Sequence, residues 1–400
     1  MTPSSATPHE LSSIRLRGFA ARASLAEAWA WIETRLQPLA SETVEPFAAV
    51  GRITAGDIVA AGDLPVMDRA AWDGYAVRAA DSIGASDYNP IPLGIAGALS
   101  PVSAGDSVPE GTDAVVAVEH TRSDAGTVEL VAAVAEGEGI ERRGDDVAAG
   151  TILLPAGRLV RPADAALLTA LETADIPVVR RPIVRLAAVG SEVGPHTDSN
   201  TPMLAVLVER DGGIAERHPP LPDEAAAIRE FLARPGADLV ILCGGSGLGS
   251  NDRTAEALAG AGTLAIHGIA LRPADSTSLG VAAGIPVVVL PGRPAACLCA
   301  YEIVAGRAVR RQAGGSADFP FVRRALTTAR KIVSPGGWAD FCRVRFTADG
   351  RVEPVGSGGN ASLSSVVRAD GFVLVPAEQE GFPEGSTVPV HLFAPSLKDG

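Results

Sequence analysis

Three stretches of this sequence gather residue types that could do chemistry. "DRAAWDGYAV" (68–77) sets Asp68 and Asp73 on either side of Trp72 and follows Asp73 with Gly74 and Tyr75. Asp73 is either a turn cap or a reactive carboxylate, because Asp bonds its own downstream backbone and Gly accepts a positive φ. "DLVILCGGSGLGSNDRTAEALAG" (238–260) reads as strand, glycine-rich loop and helix. The backbone N–H groups of Gly244, Gly245, Ser246, Gly247 and Gly249 could cradle a phosphate at the positive end of the following helix, and a plain strand-to-helix turn would use the same glycines. "VVVLPGRPAAC" leaves a second strand end through Pro291, Gly292, Arg293 and Pro294. Two prolines stiffen that loop and Arg293 offers a fork donor to an oxyanion, although a structural turn would read alike.

Further carboxylates lie beside glycine, with Asp145 and Asp146 in "RRGDDVAAG" and Asp252 in "GSNDRT". Such groups either hold a hard cation such as Mg²⁺ together with a phosphate-bearing substrate or are solvated turn acids. His120, His196, His218 and His267 lack HExxH spacing, and no G-x-S-x-G elbow is present. Cys243, Cys297, Cys299 and Cys342 fit neither a zinc pattern nor a disulfide framework, which points to reducing, cytoplasmic surroundings. A net charge of −13 without a basic run argues against a nucleic-acid partner. No continuous apolar run suggests secretion or membrane spanning.

These residues need a scaffold, and 400 residues at roughly 100–200 per domain imply two to four domains. Hydrophobic residues make up 46% but aromatics only 4%, so the cores must be built from Ala, Val, Leu and Ile between sharp turns. Residues 1–23 read as a loose leader. Ser24 and Glu27 form a capping box ahead of an amphipathic helix that Pro38 ends. Short β-like runs fill 51–152, and "PADAALLTALETA" (162–174) restores helix with proline at its start. This implies a helical linker domain (24–50 and 153–182) carrying a β-rich inserted domain (51–152). In 183–314, apolar runs ending in Gly alternate with helical stretches at 222–234, 252–261 and 294–311, as in a doubly wound α/β domain of buried parallel strands. Short β runs over 320–396 predict a small C-terminal β-domain, completing a multidomain α/β fold.

Set in order, "SLAEAWAWIETRLQPL", "GRITAGDIVAAGDLPVMDRAAWDGYAVRAAD", "VPEGTDAVVAVEHT", "ERRGDDVAAGTILLPAG", "DLVILCGGSGLGSND", "VVLPGRPAACLCAYEIV" and "ASLSSVVRADGFVLVP" resemble the MoeA/gephyrin family of molybdopterin molybdenumtransferases, from about residue 24 to 395. The resemblance implies a MogA-like doubly wound domain and an elongated homodimer whose pterin-phosphate site lies between that domain and the partner's β-rich insertion. It implies binding of molybdopterin as its adenylate, cleavage assisted by a divalent metal such as Mg²⁺, insertion of molybdate and release of AMP. Asp73, Asp146 and Asp252 are then the catalytic carboxylates, Asp73 and Asp252 also holding metal. The 244–249 loop, Arg272, residues 291–294 and Ser364 contact substrate.

The sequence departs from the family pattern at several of these places. Ser191 stands where an acid is usual, and Ala296 has lost a hydroxyl. Asp275 occupies the second lysine position of a K-P-G-K-P segment, here "RPADS". Asp275 is expected to repel an anionic ligand and Arg293 to compensate. The competing reading is a paralogue that keeps the fold and carries or scaffolds the cofactor for a client molybdoenzyme.

Overall fold

The computed structural model describes residues 21–93, 100–124, 127–194, 196–247, 249, 252–356 and 362–394, so most of the expected leader lies outside the described residues. The chain divides into two compact units, Thr43–Val178 and Met1–Glu42 with Val179–Gly400.

Helix α1 (Leu25–Arg35) belongs to the larger unit. Its capping box closes as the sequence predicts: Glu27 N donates to Ser24 Oγ (3.2 Å) and Ser24 N to the Glu27 carboxylate (2.7 Å). Trp29 Nε1 donates to the Ile303 carbonyl at 2.8 Å.

In the smaller unit, β1 (Arg69–Ala70), β2 (Gly74–Val77), β3 (Ser100–Val102), β4 (Ala114–Ala117) and β5 (Ile140–Glu141) form short antiparallel pairs, with β2 between β3 and β4 and β1 beside β5. Asp73-Gly74 is the entry to β2 and not a hairpin turn. A Cβ on Gly74 would lie 1.9 Å from the Val116 carbonyl oxygen, so only glycine lets β4 approach. Helix α2 (Pro162–Ala170) starts on its proline, and Asp164 accepts bonds from Arg161 and Arg158. Helices α1 and α2, both expected in the linker domain (24–50 and 153–182), fall in different compact units.

The larger unit is built on β6 (Ile183–Ala188), α3 (Asn200–Arg210), β7 (Ile214–Arg217), α4 (Ala225–Leu232), β8 (Leu239–Cys243), α5 (Thr254–Ala261), β9 (Gly262–His267), β10 (Leu271–Arg272), β11 (Ser278–Ala282), β12 (Ile285–Leu290), α6 (Pro294–Ala300) and α7 (Gly306–Gln312). Its main sheet has the order β7-β6-β8-β12-β11-β9. Alternate residues of β8 feed opposite cores: Leu239 and Ile241 join α1, α3 and α6, whereas Val240 and Leu242 join Phe231 of α4 and Leu258 of α5. Helices thus cover both faces, as a doubly wound domain requires.

The sheet is not wholly parallel. The three pairs among β7, β6, β8 and β12 are parallel, but β11 and β9 are antiparallel additions. The reason is the link between β11 and β12. Only Ala283 (φ 49°) and Gly284 (φ 80°) connect them, a primed turn that can join antiparallel neighbours alone.

Two further features position the site. Helix α3, which the sequence reading did not predict, begins where the Asp198 carboxylate accepts the backbone N–H groups of Asn200 (3.1 Å) and Thr201 (3.0 Å). A π-helical turn, Tyr301–Ala305, joins α6 to α7 and carries the buried Glu302, which accepts two 2.8 Å bonds from Arg210 at the end of α3. Beside it Arg310 Nη1 donates to Asp211 at 2.9 Å.

The C-terminal part comprises β13 (Val322–Thr327), β14 (Ala339–Phe346), the short α8 (Leu363–Val367), β15 (Gly371–Val375) and β16 (Thr387–Leu392), in a sheet of order β10-β14-β15-β16-β13. That sheet starts on β10, a strand from within residues 183–314, which joins the two parts of the larger unit.

Candidate functional site

Strands β6, β8 and β12 deliver their carboxyl ends to one cleft of about 950 Å³, where Val189, Gly244 and Pro291 line the wall. The chain turns from β6 outward to β7 and then returns to the other side of β6 with β8, so the cleft sits at the reversal of strand order. Ligands of open α/β sheets bind at such switch points.

The glycine-rich loop shapes one wall. Gly244 has φ +107°, and a Cβ there would lie 2.1 Å from the Val189 carbonyl oxygen; Gly245 has φ +58°, and a Cβ there would lie 2.5 Å from Thr254 Oγ1. Thr254 closes the loop by donating its hydroxyl to the Gly244 carbonyl (2.9 Å) and its N–H to that of Gly245 (3.1 Å). Asp252 folds back under the loop, and its Oδ2 accepts the Gly249 N–H at 2.6 Å. Gly244, Gly245, Ser246, Gly247 and Asp252 line the cleft, whereas Gly249 supports it from behind through Asp252. Ser246 and Ser276 hydroxyls meet at 2.8 Å.

The 291–294 loop adjoins the glycine-rich loop, a Cβ on Gly292 lying only 3.3 Å from Gly244 Cα, and the start of α3 follows. Pro291, Gly292, Arg293 and Pro294 all line the cleft, and Arg293 is exposed. Asn200 Nδ2 donates to the Gly292 carbonyl at 2.8 Å, leaving Oδ1 buried and unpartnered among the described residues. The cleft is acidic: Glu192, Asp198, Asp223, Asp252 and Asp275 face it, against Arg22 and Arg293. One pair is already made, since Arg22 Nη2 lies 3.1 Å from Asp275 Oδ2.

Comparison with known proteins assigns this arrangement. Family models match in chain order: the MoeA N-terminal region (domain I and II) over residues 23–171, a "Probable molybdopterin binding domain" over 186–311, and the MoeA C-terminal region (domain IV) over 325–393. Molybdopterin molybdenumtransferase 2 of Mycobacterium tuberculosis is 33% identical over 84% of this chain and 91% of its own length. The chain belongs to the MoeA family. Molybdopterin molybdenumtransferase of Staphylococcus aureus is 28% identical over 88% of this chain and 90% of its own length. The crystal structure of a MoeA protein from Pyrococcus horikoshii superposes with a TM-score of 0.76 at 27% identity, over 94% of this chain and all of that one. This MoeA protein is accordingly a transferase family member with a role in molybdenum cofactor biosynthesis.

Two departures from the MoeA pattern have local compensation. The Ser191 N–H donates to Asp223 Oδ2 (2.8 Å) and its Oγ accepts the Asp223 N–H (3.4 Å), so Ser191 holds a neighbouring acid in place while Glu192 faces the cleft. Asp275 is not an uncompensated anion, as the sequence suggested, because Arg22 neutralises it. Ala296 lines the cleft without a hydroxyl, and nothing in the structure replaces that donor.

Other expected site residues lie elsewhere. Arg272 does not line the cleft; it ends β10 opposite Asp340, whose carboxyl burial pushes up and the Arg272 charge draws back. Ser364 sits on α8, its Oγ 3.2 Å from that of Ser362, and does not line the cleft either. Asp73 and Asp146 are in the smaller unit, both exposed. Asp73 Oδ1 accepts the Ala104 N–H at 2.9 Å, so its carboxylate braces a neighbouring turn and not its own. The register Ala70↔Ile140, continued by Leu64↔Val147, sends Asp73 and Asp146 toward opposite ends of that ladder. Asp73 and Asp252, the expected metal pair, fall in different units, and among the described residues no three His, Cys, Asp or Glu side chains gather as a metal site.

Sequence reasoning missed Asp198, Asn200, Asp223 and Arg22. "TDSNTP", with a capping acid ahead of proline, carried a helix-start signal for the first two. It also missed Arg343, 8% exposed, whose Nε and Nη1 have no hydrogen-bond partner among the described residues. A buried guanidinium left this way suits an oxyanion. All four thiols are free, and a hydrogen bond with Cys243 together with burial pushes the Cys297 thiol well up.

Proposed function

We propose that this cleft binds molybdopterin, as its adenylate, and that the protein inserts molybdate with release of AMP. The observation that carries the reading is the cleft itself: glycine-loop residues 244–247 and Arg293 line it together at the switch point of the segment matched to molybdopterin binding. The glycine loop and Arg293 orient the phosphate, and the unpartnered Oδ1 of Asn200 is an acceptor for a ligand N–H.

An anionic substrate in a cleft with five carboxylates and two guanidinia calls for a cation. Mg²⁺ fits these donors, since it takes oxygen, keeps several waters and needs only one or two carboxylates beside substrate phosphate. Asp252 would hold it, and when bound the ion neutralises phosphate charge. Asp73 and Asp146 are proposed as the carboxylates that the smaller unit contributes to the reaction.

The assembly is a homodimer in the cytoplasm, passing its product to a client molybdoenzyme. The exposed Val66, Met67 and Val118, the last bonded to the Asp73 carbonyl, support a protein partner for the smaller unit. Among the described residues no helix is long and apolar enough to cross a membrane. The carrier or scaffold alternative is not favoured: its strongest ground was Asp275, which Arg22 pairs.

The test is AMP release from adenylated molybdopterin with molybdate and Mg²⁺. Purified protein releases AMP, and Asp73→Asn or Asp252→Asn slows it at least about tenfold, about 1.4 kcal/mol of barrier, with the fold retained by circular dichroism. A wild-type rate at background would end this reading.

A further inference from the structure

We propose that Arg22 is a second cation, beside Arg293, through which the cleft holds its ligand's phosphate, with Asp275 and Trp338 as the residues that position it. The inference deepens the molybdopterin reading and rests on it.

Arg22 reaches the cleft from a segment fixed by its own backbone. Ala23 N donates to the Gly268 carbonyl (3.0 Å) and the Ala23 carbonyl accepts the Ala270 N–H (2.8 Å), pinning residue 22 beside the loop that carries Asp275. Its guanidinium lies 4.8 Å from the Trp338 ring centroid and 3.1 Å from the Asp275 carboxylate. A planar cation held on one side by an aromatic face and on another by a carboxylate has already lost the rotamer freedom that phosphate binding would otherwise remove. Arg293 is exposed and must be ordered when the ligand arrives.

The pairing also explains why an aspartate is tolerated in this corner. Asp275 is 45% exposed and would repel a dianion if it stood alone. Arg22 offsets that charge at 3.1 Å, and both residues line the cleft. Because both groups are partly exposed, the ion pair itself contributes little to folding.

The experiment is anaerobic calorimetric titration of the full-length chain with molybdopterin and with molybdopterin whose phosphate has been removed, at roughly 0.05 M and 0.3 M salt. Arg22→Ala should bind the phosphorylated ligand at least about tenfold more weakly and the dephosphorylated ligand within about twofold of wild type, the gap shrinking at the higher salt. Adding Asp275→Asn to Arg22→Ala should recover part of the loss, because it removes the unpaired anion. Equal losses for both ligands would make Arg22 a structural residue and overturn the inference. Unchanged binding of the phosphorylated ligand by Arg22→Ala would overturn it as well, while leaving the cleft assignment standing. Failure of the wild-type chain to bind either ligand would overturn the cleft assignment and the inference together.

Discussion

Gly244→Ala isolates what the glycine loop does. The added Cβ would start 2.1 Å from the Val189 carbonyl oxygen, and real Cβ atoms keep at least 3.0 Å, so one backbone must yield by about 0.9 Å. Neither segment is free to do so. The Val189 N–H donates to the Cys243 carbonyl (2.8 Å), and Thr254 holds the loop by two bonds. A positive φ costs Ala about 1–2 kcal/mol, and forcing apart a packed backbone costs about 1–3 kcal/mol more, giving about 2–5 kcal/mol in all. A shift near 1 Å beside bound phosphate should slow turnover about a hundredfold. The assay is AMP release together with a urea unfolding curve. Gly62→Ala is the control, since nothing lies within 4 Å of its Cβ position. The control should keep activity and stability. A Gly244→Ala protein with wild-type turnover and an unchanged urea midpoint would refute the close-approach argument and, with it, the role given to this loop.

Asp164 is held at a pKa of about 2, against 3.8 for a free side chain, chiefly by the hydrogen bond from Arg161, with burial opposing and the Arg158 charge assisting. A depressed carboxylate pKa contributes stability above the unfolded value and loses it as pH falls through the folded one. Asp164→Asn should therefore be less stable by about 1–2 kcal/mol at pH 7, with the gap closing between about pH 4 and 2; urea midpoints that keep a constant gap over that window would contradict the assignment. Light scattering at micromolar concentration should find two chains per particle, and a monomer would remove the dimer from the proposal.

Much of this architecture is written in local pattern. Strands β6, β8 and β12 were legible because fully buried parallel strands are continuous apolar runs, and α1 because Ser24 and Glu27 close a box within one turn. Helix α3 was not, since Asn200, Thr201 and Pro202 open it with weak helix formers and its signal lies in a cap. The antiparallel edge was concealed in Ala283-Gly284, a turn that fixes direction without altering hydrophobic pattern. Site residues divide the same way. The loops at 244–249 and 291–294 could be placed from the strand ends that feed them. Arg22 could not be joined to Asp275 across 253 positions, nor could Arg272 be seen to turn toward Asp340, because only the folded chain makes those neighbours.

The same geometry bears on how the cleft can be acidic and still receive an anion. Helix α3 spans about 16 Å, and it is fastened at both ends to the 291–312 segment: Asn200 bonds Gly292 at the cleft, and Arg210 forks onto Glu302 at the far end. A buried ion pair such as Arg210–Glu302 gives little net stability once desolvation is counted, but it admits few alternative geometries. Fastened twice, α3 cannot slide against α6 without breaking a buried contact, so the wall holding Arg293 keeps its position before ligand arrives. The adjoining glycine loop is fixed by Thr254 and Asp252. Binding then costs little ordering of the protein backbone, and the attraction required from charge is correspondingly small. Under the proposed reading, the two guanidinia and a bound divalent cation would then have to offset only part of the charge of the five carboxylates and the ligand.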